Sequence, residues 1–349
     1  MIGWITTWDI RCGIATYSQF LTDAIDEDIV ILCQKGEGEG EAEKVFPCWK
    51  RDSNDFGRLL AIISSNEIDK IVIQHQPGLM RFSYLNELLL IFNRMELDVF
   101  ITMHNTQDRS LIYPSKRIER AVEGLKTCSK VMVHSNNDVK NLEKLGISEN
   151  VVMIPHGIYP PPNKDVKSLP VKGRTMATFG FLFPHKGHLQ LIEAFSRLPG
   201  WDELLVLSAV REGSGKMLTK CENLISKLEL KGKVRMVTDF LDDEVAIATL
   251  SKCELLVFPY QNTKESASGA VRMGVASGAA LAVTPIPIFD DIEGAIRLPG
   301  ISVDYLVKGI SEASDSDLEQ SRKAMTKLRD SLQWSDIAKL IKFEFDTKM

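Results

Sequence analysis

Short apolar runs alternate with amphipathic stretches along the first half of the chain. The runs predicted as buried strands are Ile2–Thr6, Ile29–Cys33, Val45–Trp49, Lys70–Gln74, Val99–Met103 and Lys130–Val133. The stretches with helical periodicity are Ile14–Ile25, Asp55–Ser64, Phe82–Met95, Ile118–Lys126 and Asn136–Leu145. Strands that alternate with helices are typical of a parallel, doubly wound sheet, so we predict the α/β class.

The alternation is interrupted at Pro155–Lys172, which is rich in proline and lysine and has no period, and then resumes. Further strands are predicted at Met176–Gly180, Leu204–Ala209, Val234–Val237, Leu255–Pro259 and Ala280–Val283, and further helices at Leu189–Leu198, Ser314–Leu332 and Trp334–Phe345. A chain of 349 residues is about twice a typical domain. We therefore predict one domain over 1–160, a linker over 161–173, a second domain over 174–332 and a closing helix over 333–349. Two such domains would face a cleft between them, where ligands commonly bind.

Composition excludes several classes of function. The net charge of −5 argues against nucleic acid as the main partner. The six cysteines include no C-x-x-C pair, which favours reduced thiols in a cytoplasm over disulfides or a zinc cluster. The N-terminal residues lack a signal-peptide pattern, and no apolar run approaches the roughly 20 residues that a membrane span needs.

The apolar run Glu254–Tyr260 predicts a buried strand that ends at a loop, and Lys264–Gly278 (KESASGAVRMGVASG) after it predicts a polar loop and a helix of small residues. The first amides of such a helix have no partner and favour an anion, so we expect the amides of Ala267, Ser268 and Gly269 to bind phosphate. Glu265 stands just ahead of them and could accept hydrogen bonds from sugar hydroxyls. The alternative is a capped helix packed on a sheet.

Four of the six histidines, His75, His104, His134 and His156, follow directly after predicted strands. Ligands bind at the carboxyl ends of parallel strands, so the set predicts a polar cleft. A satisfied structural histidine is the alternative for each one. Their spacing offers no metal site.

Two further loops suit close approach to a phosphate. Gly13 ends the loop after the first strand, where a plain tight turn is the alternative. Lys186 and Gly187 precede a helix and would place a cation beside its amides, although a surface lysine explains the pattern as well. Asp315-Ser316-Asp317 spells the D-x-D pattern of metal-dependent sugar transferases, but its place at a helix start favours an N-cap.

In order and spacing, these motifs resemble the retaining glycosyltransferases of the large family four, or group 1, which have the GT-B fold. The resemblance implies two Rossmann-like domains, with the nucleotide sugar on the second and the last helix crossing back to the first. The matching segments are Gly13, Met103-His104-Asn105, Ile154–Ile158, Gly180 to Gly187, Lys264–Gly278 as an E-x7-E motif, and the Trp334 helix.

Two positions depart from the family pattern. Phe181 stands where the family has the arginine that clamps the diphosphate with the lysine, and Met273 replaces the second glutamate, which holds the ribose. A helix dipole offers about 0.3–2 kcal/mol toward an anion, less than the roughly 2–5 kcal/mol lost with one member of a buried charge pair. Arg211 and Arg272 are the candidates to supply the charge. We favour Arg211, on a loop after a strand, because Arg272 could point to the helix's solvent face.

The resemblance implies transfer of a hexose from a nucleotide-diphosphate sugar, with retention and without a metal or cofactor. GDP-mannose is favoured as the donor and UDP-hexoses come next. Lys186, Arg211 and the helix amides would stabilise the leaving diphosphate, Glu265 would hold sugar hydroxyls, and His104 would orient the sugar.

The acceptor implied is a glycan or a lipid-linked sugar of bacterial surface polysaccharide. A cytoplasmic protein is expected, with peripheral contact to the inner face of the membrane through a basic stretch as an option. A solvated helix face is the favoured explanation of that stretch, which comprises Lys116, Arg117, Arg120, Lys126 and Lys130. Two other functions stay open: another GT-B enzyme, such as a phosphorylase or epimerase, and a non-catalytic binding protein with a decayed site.

Overall fold

The computed structural model describes residues 1–38, 43–106, 117–211, 213–263, 265 and 267–347. It divides into two compact units. The first contains residues 1–157, the described residues from Trp334 onward, and Glu265 with Ala267. The second contains the described residues of 158–263 and 268–333.

The first unit is built on a parallel sheet of seven strands within the described residues, in the order β3-β2-β1-β4-β5-β6-β7. The strands are β1 (Ile2–Thr6), β2 (Ile29–Gln34), β3 (Val45–Trp49), β4 (Lys70–His75), β5 (Asp98–Met103), β6 (Lys130–Val133) and β7 (Val151–Met153). The helices between them are α1 (Gly13–Ala24), α2 (Gly57–Ser65), α3 (Phe82–Arg94), α4 (Val122–Lys126) and α5 (Asn136–Glu143).

The second unit repeats this plan on a parallel sheet in the order β10-β9-β8-β11-β12-β13. Its strands are β8 (Thr175–Phe181), β9 (Glu203–Ala209), β10 (Val234–Val237), β11 (Leu255–Phe258), β12 (Ala280–Val283) and β13 (Ile296–Arg297). Its helices are α6 (His188–Phe195), α7 (Gly215–Lys227), α8 (Asp243–Leu250), α9 (Gly269–Ser277), α10 (Val303–Glu312) and α11 (Asp315–Ser331). The prediction of two doubly wound α/β sheets is therefore confirmed.

Each sheet has a point where the strand order reverses direction. In the first unit it lies between β1 and β4, and in the second between β8 and β11. The loops that leave such neighbouring strands diverge to opposite faces, which opens a crevice at the carboxyl edge where ligands bind. The loops after β8 and β11 are therefore the first place to look for a site in the second unit.

The strands form because their side chains are apolar on both faces and are covered by helices on both sides. Leu32, Ile73 and Ile101 are fully buried in the first core, and Leu204 and Val257 in the second. Burying each such side chain stabilises the fold by about 1.5–3 kcal/mol. The strands thereby fix the positions of the loops at their carboxyl ends.

The last helix, α12 (Trp334–Asp346), belongs to the first unit. The Trp334 ring stacks on Phe20 with centroids 5.3 Å apart and meets Tyr17 edge-on at 5.1 Å. It also covers Gly157, where an added Cβ would lie 2.4 Å from Trp334 Cδ2.

No helix within the described residues combines the length and the apolar character that crossing a membrane requires.

Some local predictions needed correction. The predicted helix over Ile118–Lys126 is a 3-10 turn, Ile118–Ala121, followed by the short α4. The D-x-D segment is a helix start, as predicted: Ser314 is the N-cap and forms a capping box with Asp317. Lys116, Lys264 and Ser266, which the sequence singled out, lie outside the described residues.

Candidate functional site

The loops after β8 and β11 are fastened to each other in the second unit. The Gln261 N–H donates to the His185 carbonyl oxygen at 2.7 Å. Gly187 has a left-handed backbone with φ 75°, and a Cβ there would lie 1.9 Å from the Pro259 carbonyl oxygen. Only glycine permits this approach. The contact holds Lys186, the residue before it, against the end of β11.

Tyr260 contacts both Lys186 and the start of α9. The Lys186 side chain is only 8% exposed, and its Nζ lies 4.0 Å from the centroid of the Tyr260 ring. The Tyr260 hydroxyl lies 2.8 Å from Oγ of Ser268, the N-cap of α9. Within the described residues Ser268 Oγ makes no capping hydrogen bond to the helix. The amides that open α9 are thus left for another acceptor.

The positive charge of Lys186 affects the pKa of the nearby His188. Burial, with a smaller contribution from the Lys186 ammonium, lowers the pKa of His188 to about 4. The first turn of α9 also packs close to the end of β8, since a Cβ on Gly180 would lie 3.3 Å from Ala270 Cβ. A cation, a helix N-terminus and a backbone without a side chain therefore converge at this edge, and together they favour an anion.

Arg211, on the loop after β9, lies beside the end of β8. Phe181 pairs with Ala209 in the parallel ladder, so the residue two positions beyond Ala209 follows the same edge. The Arg211 guanidinium carbon lies 4.2 Å from the centroid of the Phe181 ring. The Arg211 N–H donates to Ser214 Oγ at 2.8 Å, and that hydroxyl donates back to the Arg211 carbonyl oxygen. The loop is thus held as a compact turn.

Arg272 does not point to the solvent face of its helix. It was expected to point to the solvent face if it did not bind the donor, but it is 1% exposed and pairs with Asp291. That alternative was wrong because α9 is buried from Val271 to Ser277, so its fourth residue turns inward. Its Nε and Nη1 have no hydrogen-bond partner within the described residues. Met273, at the position of the family's second glutamate, is also buried.

Gly13 and His104 lie at the carboxyl edge of the first sheet. Gly13 opens α1, and an added Cβ would meet no atom within 4 Å, so packing does not require glycine there. His104 follows β5, and its Nε2 lies 2.9 Å from Gln74 Oε1. Because an amide oxygen only accepts, Nε2 carries the proton and Nδ1 is left as an acceptor.

Burial lowers the pKa of His104 well below its usual value, and the neighbouring His134 and His75 add to the effect. The imidazole is therefore neutral at pH 7. His104, His134 and His156 surround the buried Tyr17 ring, with centroid distances of 4.9, 5.5 and 5.2 Å. They form one aromatic cluster rather than a row of separate polar groups.

The prediction of a polar cleft lined by all four histidines was wrong for His75, His134 and His156, which are all buried. A ring nitrogen of each lies within hydrogen-bond distance of a backbone carbonyl oxygen: Met80 for His75 and Ile154 for His134, both at 2.9 Å, and Gly157 for His156 at 2.7 Å. All three are structural histidines of the core. Of the four, His104 keeps the half-buried position that a ligand-binding role requires.

The predicted residues thus form separate groups. Lys186, Ser268 and Gly269 come together in the second unit, with Arg211 on Phe181 at the same sheet edge, whereas Arg272 of α9 is paired with Asp291. Gly13 and His104 belong to the first unit, as does the half-buried Glu265 with Ala267. Among the described residues, no group of three or more histidine, cysteine or acidic side chains could hold a metal ion.

Sequence reasoning missed two residues that position others. Tyr260 joins Lys186 to Ser268, and Gln74 fixes the proton of His104. Each stands at the carboxyl end of an apolar run, Tyr260 just after β11 and Gln74 near the end of β4. A polar or amphipathic side chain at that place was the available signal.

Comparison with known proteins fits this geometry. Residues 161–324 match the family model of the group 1 glycosyl transferases. This segment, just under half of the chain, is similar to that family. The matched segment includes β8 to β13 and therefore the Lys186, Arg211 and α9 elements. No curated protein matches the chain.

Solved structures resemble this chain over its whole length. Anabaena HepE in complex with UDP has a TM-score of 0.76 at 11% identity, covering 99% of each chain. Sucrose-phosphate synthase from Thermosynechococcus elongatus has 0.75 at 14%, covering 99% of this chain and 98% of the other. A UDP-forming trehalose-phosphate synthase from Burkholderia xenovorans has 0.74 at 12%, covering 99% of each. At these identities the likeness shows the fold, which is GT-B.

Proposed function

We propose that this protein is a metal-independent, retaining hexosyltransferase that moves a hexose from a nucleotide-diphosphate sugar to a glycan or lipid-linked acceptor. The observation that carries the proposal is the arrangement of Lys186, Tyr260 and Ser268 at the start of α9. It sets a buried cation beside the amides that open α9, which have no side-chain cap within the described residues, at the reversal point of the second sheet. That arrangement suits a leaving diphosphate.

In the proposed reaction the bond between the sugar's anomeric carbon and the β-phosphate oxygen breaks. A bond forms from that carbon to the acceptor oxygen, whose proton passes to an oxygen of the departing diphosphate. The nucleoside diphosphate leaves with the electron pair of the broken bond and the negative charge that develops with it. Lys186 and the amides of Ser268 and Gly269 are fixed before the reaction. They therefore stabilise the transition state, where this charge develops, more than the ground state.

The remaining roles are assigned by chemistry. Glu265 accepts hydrogen bonds from sugar hydroxyls. His104 is neutral and accepts a hydrogen bond from a sugar hydroxyl at Nδ1, while its Nε2–H donates to Gln74 Oε1. A neutral imidazole orients the sugar through this hydrogen bond and adds no positive charge near the acceptor substrate. Gly13 leaves room for the ligand beside α1.

For the donor we now favour a UDP-hexose over GDP-mannose. The support is that the structurally similar HepE was solved with UDP, with UDP and glucose, and with UDP-glucose, and that the similar Burkholderia enzyme is UDP-forming. The choice is tested by offering UDP-glucose and GDP-mannose side by side and identifying the released nucleotide.

We place the reaction in the cytoplasm, in assembly of a surface polysaccharide. In the basic stretch proposed to touch a membrane, Lys130 forms an ion pair with Glu344 at 3.3 Å. Lys130 lies at the start of β6 and not on a helix, and its side chain is 11% exposed, so it supports neither a solvated helix face nor a membrane contact. The acceptor is therefore proposed only as a glycan or a lipid-linked sugar.

A non-catalytic binding protein is the second candidate function. The observation that favours it is the buried Met273, which gives no carboxylate to hold a ribose. Such a protein would be stabilised by a nucleotide sugar without transferring or hydrolysing it. Nucleotide release from the purified protein separates the two functions.

The test of the main proposal is Lys186→Met, which keeps the apolar stem of the side chain and removes its charge. We expect kcat to fall by about 10²–10³-fold, as for loss of one transition-state donor, with an unchanged melting temperature. Lys220→Met, on the exposed face of α7, is the matched control and should keep wild-type activity. Near-normal turnover by Lys186→Met would contradict the role given to Lys186.

A further inference from the structure

Phe181 and Arg211 form a cation–π pair at the carboxyl end of β8. Phe181 ends β8 one residue after Gly180, which packs against the first turn of α9. The Arg211 guanidinium lies on this ring at 4.2 Å. Within the described residues Arg211 has no ion pair and no acceptor for its guanidinium N–H groups.

The aromatic contact holds the cation without using its hydrogen bonds. A ring attracts a guanidinium electrostatically but offers no conventional oxygen acceptor. The N–H donors thus stay available to a partner that has several oxygens, and their fixed fork matches a phosphate group. A surface arginine with a carboxylate partner, such as Arg197 with Glu193 and Asp304, is already neutralised and differs in this respect.

The backbone holds both members of the pair in place. The Leu182 N–H donates to the Ala209 carbonyl oxygen at 3.1 Å, so the loops after β8 and β9 leave the sheet side by side. The Val210 N–H donates to Thr238 at 3.1 Å, which brings Phe240 to the same edge. Phe240 then stacks on Phe181 with centroids 6.2 Å apart. The ring is packed against a neighbour and cannot turn freely away from Arg211.

We infer that Arg211 binds the diphosphate of the nucleotide donor and that Phe181 is a positioning residue, which holds the guanidinium toward the start of α9. The inference rests on the proposed function and deepens it. Lys186 and Arg211 then flank the α9 amides as two cations fixed by two aromatic rings, Tyr260 and Phe181. Two fixed cations suit a ligand with two adjacent phosphates better than one with a single phosphate.

The experiment compares a nucleoside diphosphate with its monophosphate by calorimetric titration, using UDP and UMP, and GDP and GMP. Arg211→Ala is expected to weaken diphosphate binding by about 10–100-fold, because a hydrogen bond to a charged group is lost, and monophosphate binding by less than about 3-fold. Lys216→Ala, an exposed cation at the start of α7, controls for general charge and should leave both affinities unchanged.

A double-mutant cycle tests the positioning role. Phe181→Leu keeps an apolar side chain but loses the ring, and is expected to weaken diphosphate binding by about 3–30-fold. In the Arg211→Ala background the same change should have less than about a 3-fold effect, because there is no guanidinium left to position. Phe181→Tyr keeps the ring face and should restore binding to within about 3-fold of wild type.

Several results would overturn the inference. One is an equal loss of diphosphate and monophosphate affinity in Arg211→Ala, and another is an undiminished effect of Phe181→Leu when Arg211 is absent. Either would leave the proposed function standing if the wild type still binds a nucleoside diphosphate. A wild-type protein that binds neither UDP nor GDP would overturn the proposed function and the inference together.

Discussion

His188 is held neutral within the second unit although it lies close to a lysine. It is buried, and its Nε2 lies 2.7 Å from Ser208 Oγ. Burial lowers its pKa to about 4, and Lys186 contributes in the same direction. His75 in the first unit also has its pKa lowered to about 4 by burial. In the unfolded chain both would titrate near pH 6.5.

These histidines should make the fold sensitive to acid. Below about pH 6.5 the unfolded chain takes up a proton that the folded protein refuses until about pH 4, so lowering the pH through this window favours unfolding. Each histidine contributes up to about 1.4 kcal/mol per pH unit. His188→Gln removes one titrating group and keeps a hydrogen-bonding side chain.

The measurement is urea denaturation of wild type and His188→Gln at pH 7 and pH 5. The loss of unfolding free energy between these pH values should be smaller in the variant by about 2 kcal/mol. Equal losses in the two proteins would show that His188 is not kept neutral by the fold. The exposed substitution Lys220→Met serves as the reference for unrelated pH effects.

At the scale of single residues, the sequence predicted the place of a residue in the fold where that residue directly follows a strand. Lys186 and Ser268 follow β8 and β11, and parallel strands place such residues at one edge. The contacts between side chains could not be predicted, because Tyr260 reaches Lys186 and Ser268 through the tertiary fold. For the same reason the sequence showed Phe181 as a missing charge, whereas the structure shows a ring under Arg211.

At the scale of elements, strands were predicted best because burial on both faces makes them continuous apolar runs. The missed strands are the edge strands β7 and β13, which are three and two residues long. They are too short to give a pattern. Among the helices, α8 was missed because it is apolar without a clear face. The α7 helix has a clear apolar face and was overlooked. The α10 helix was missed as well.

The loop between β8 and α6 depends on Gly187, and substitution there should both strain and displace it. An alanine would carry a Cβ 1.9 Å from the Pro259 carbonyl oxygen and a left-handed φ of 75°. The φ alone costs about 1–2 kcal/mol, and the clash with a backbone atom adds to it. Because Lys186 precedes this glycine, nucleotide affinity should fall along with stability.

Gly200→Ala is the matched control for Gly187→Ala. Gly200 has a similar φ of 82°, but an added Cβ would meet no atom within 4 Å. It should therefore lose only the 1–2 kcal/mol of strain, by rough estimate, and keep its nucleotide affinity. Denaturation and calorimetric titration of both variants decide the matter. Equal destabilisation of the two would show that the loop yields and that Pro259 does not fix Lys186.

At the scale of the whole molecule, the chain leaves the first unit near Gly157, builds the second unit and returns at Trp334. The first unit is thus completed by its last helix. Of α12, the residues Trp334, Ile337, Ala338, Ile341 and Phe345 are buried. Trp334 packs against both Phe20 of α1 and Gly157. The stability of α1 should therefore depend on a residue more than 300 positions away in the sequence.

Trp334→Ala tests this dependence. Removing a buried tryptophan should lower the unfolding free energy of the first unit by about 3–5 kcal/mol. Hydrogen exchange of the α1 amides, Gly13–Ala24, should quicken accordingly, while the α6 amides of the second unit keep their protection. Phe343→Ala, on the same helix but 66% exposed, should change stability by less than about 0.5 kcal/mol. If α1 exchanged as slowly in Trp334→Ala as in wild type, the last helix would be an attachment to the first unit and not a part of its core.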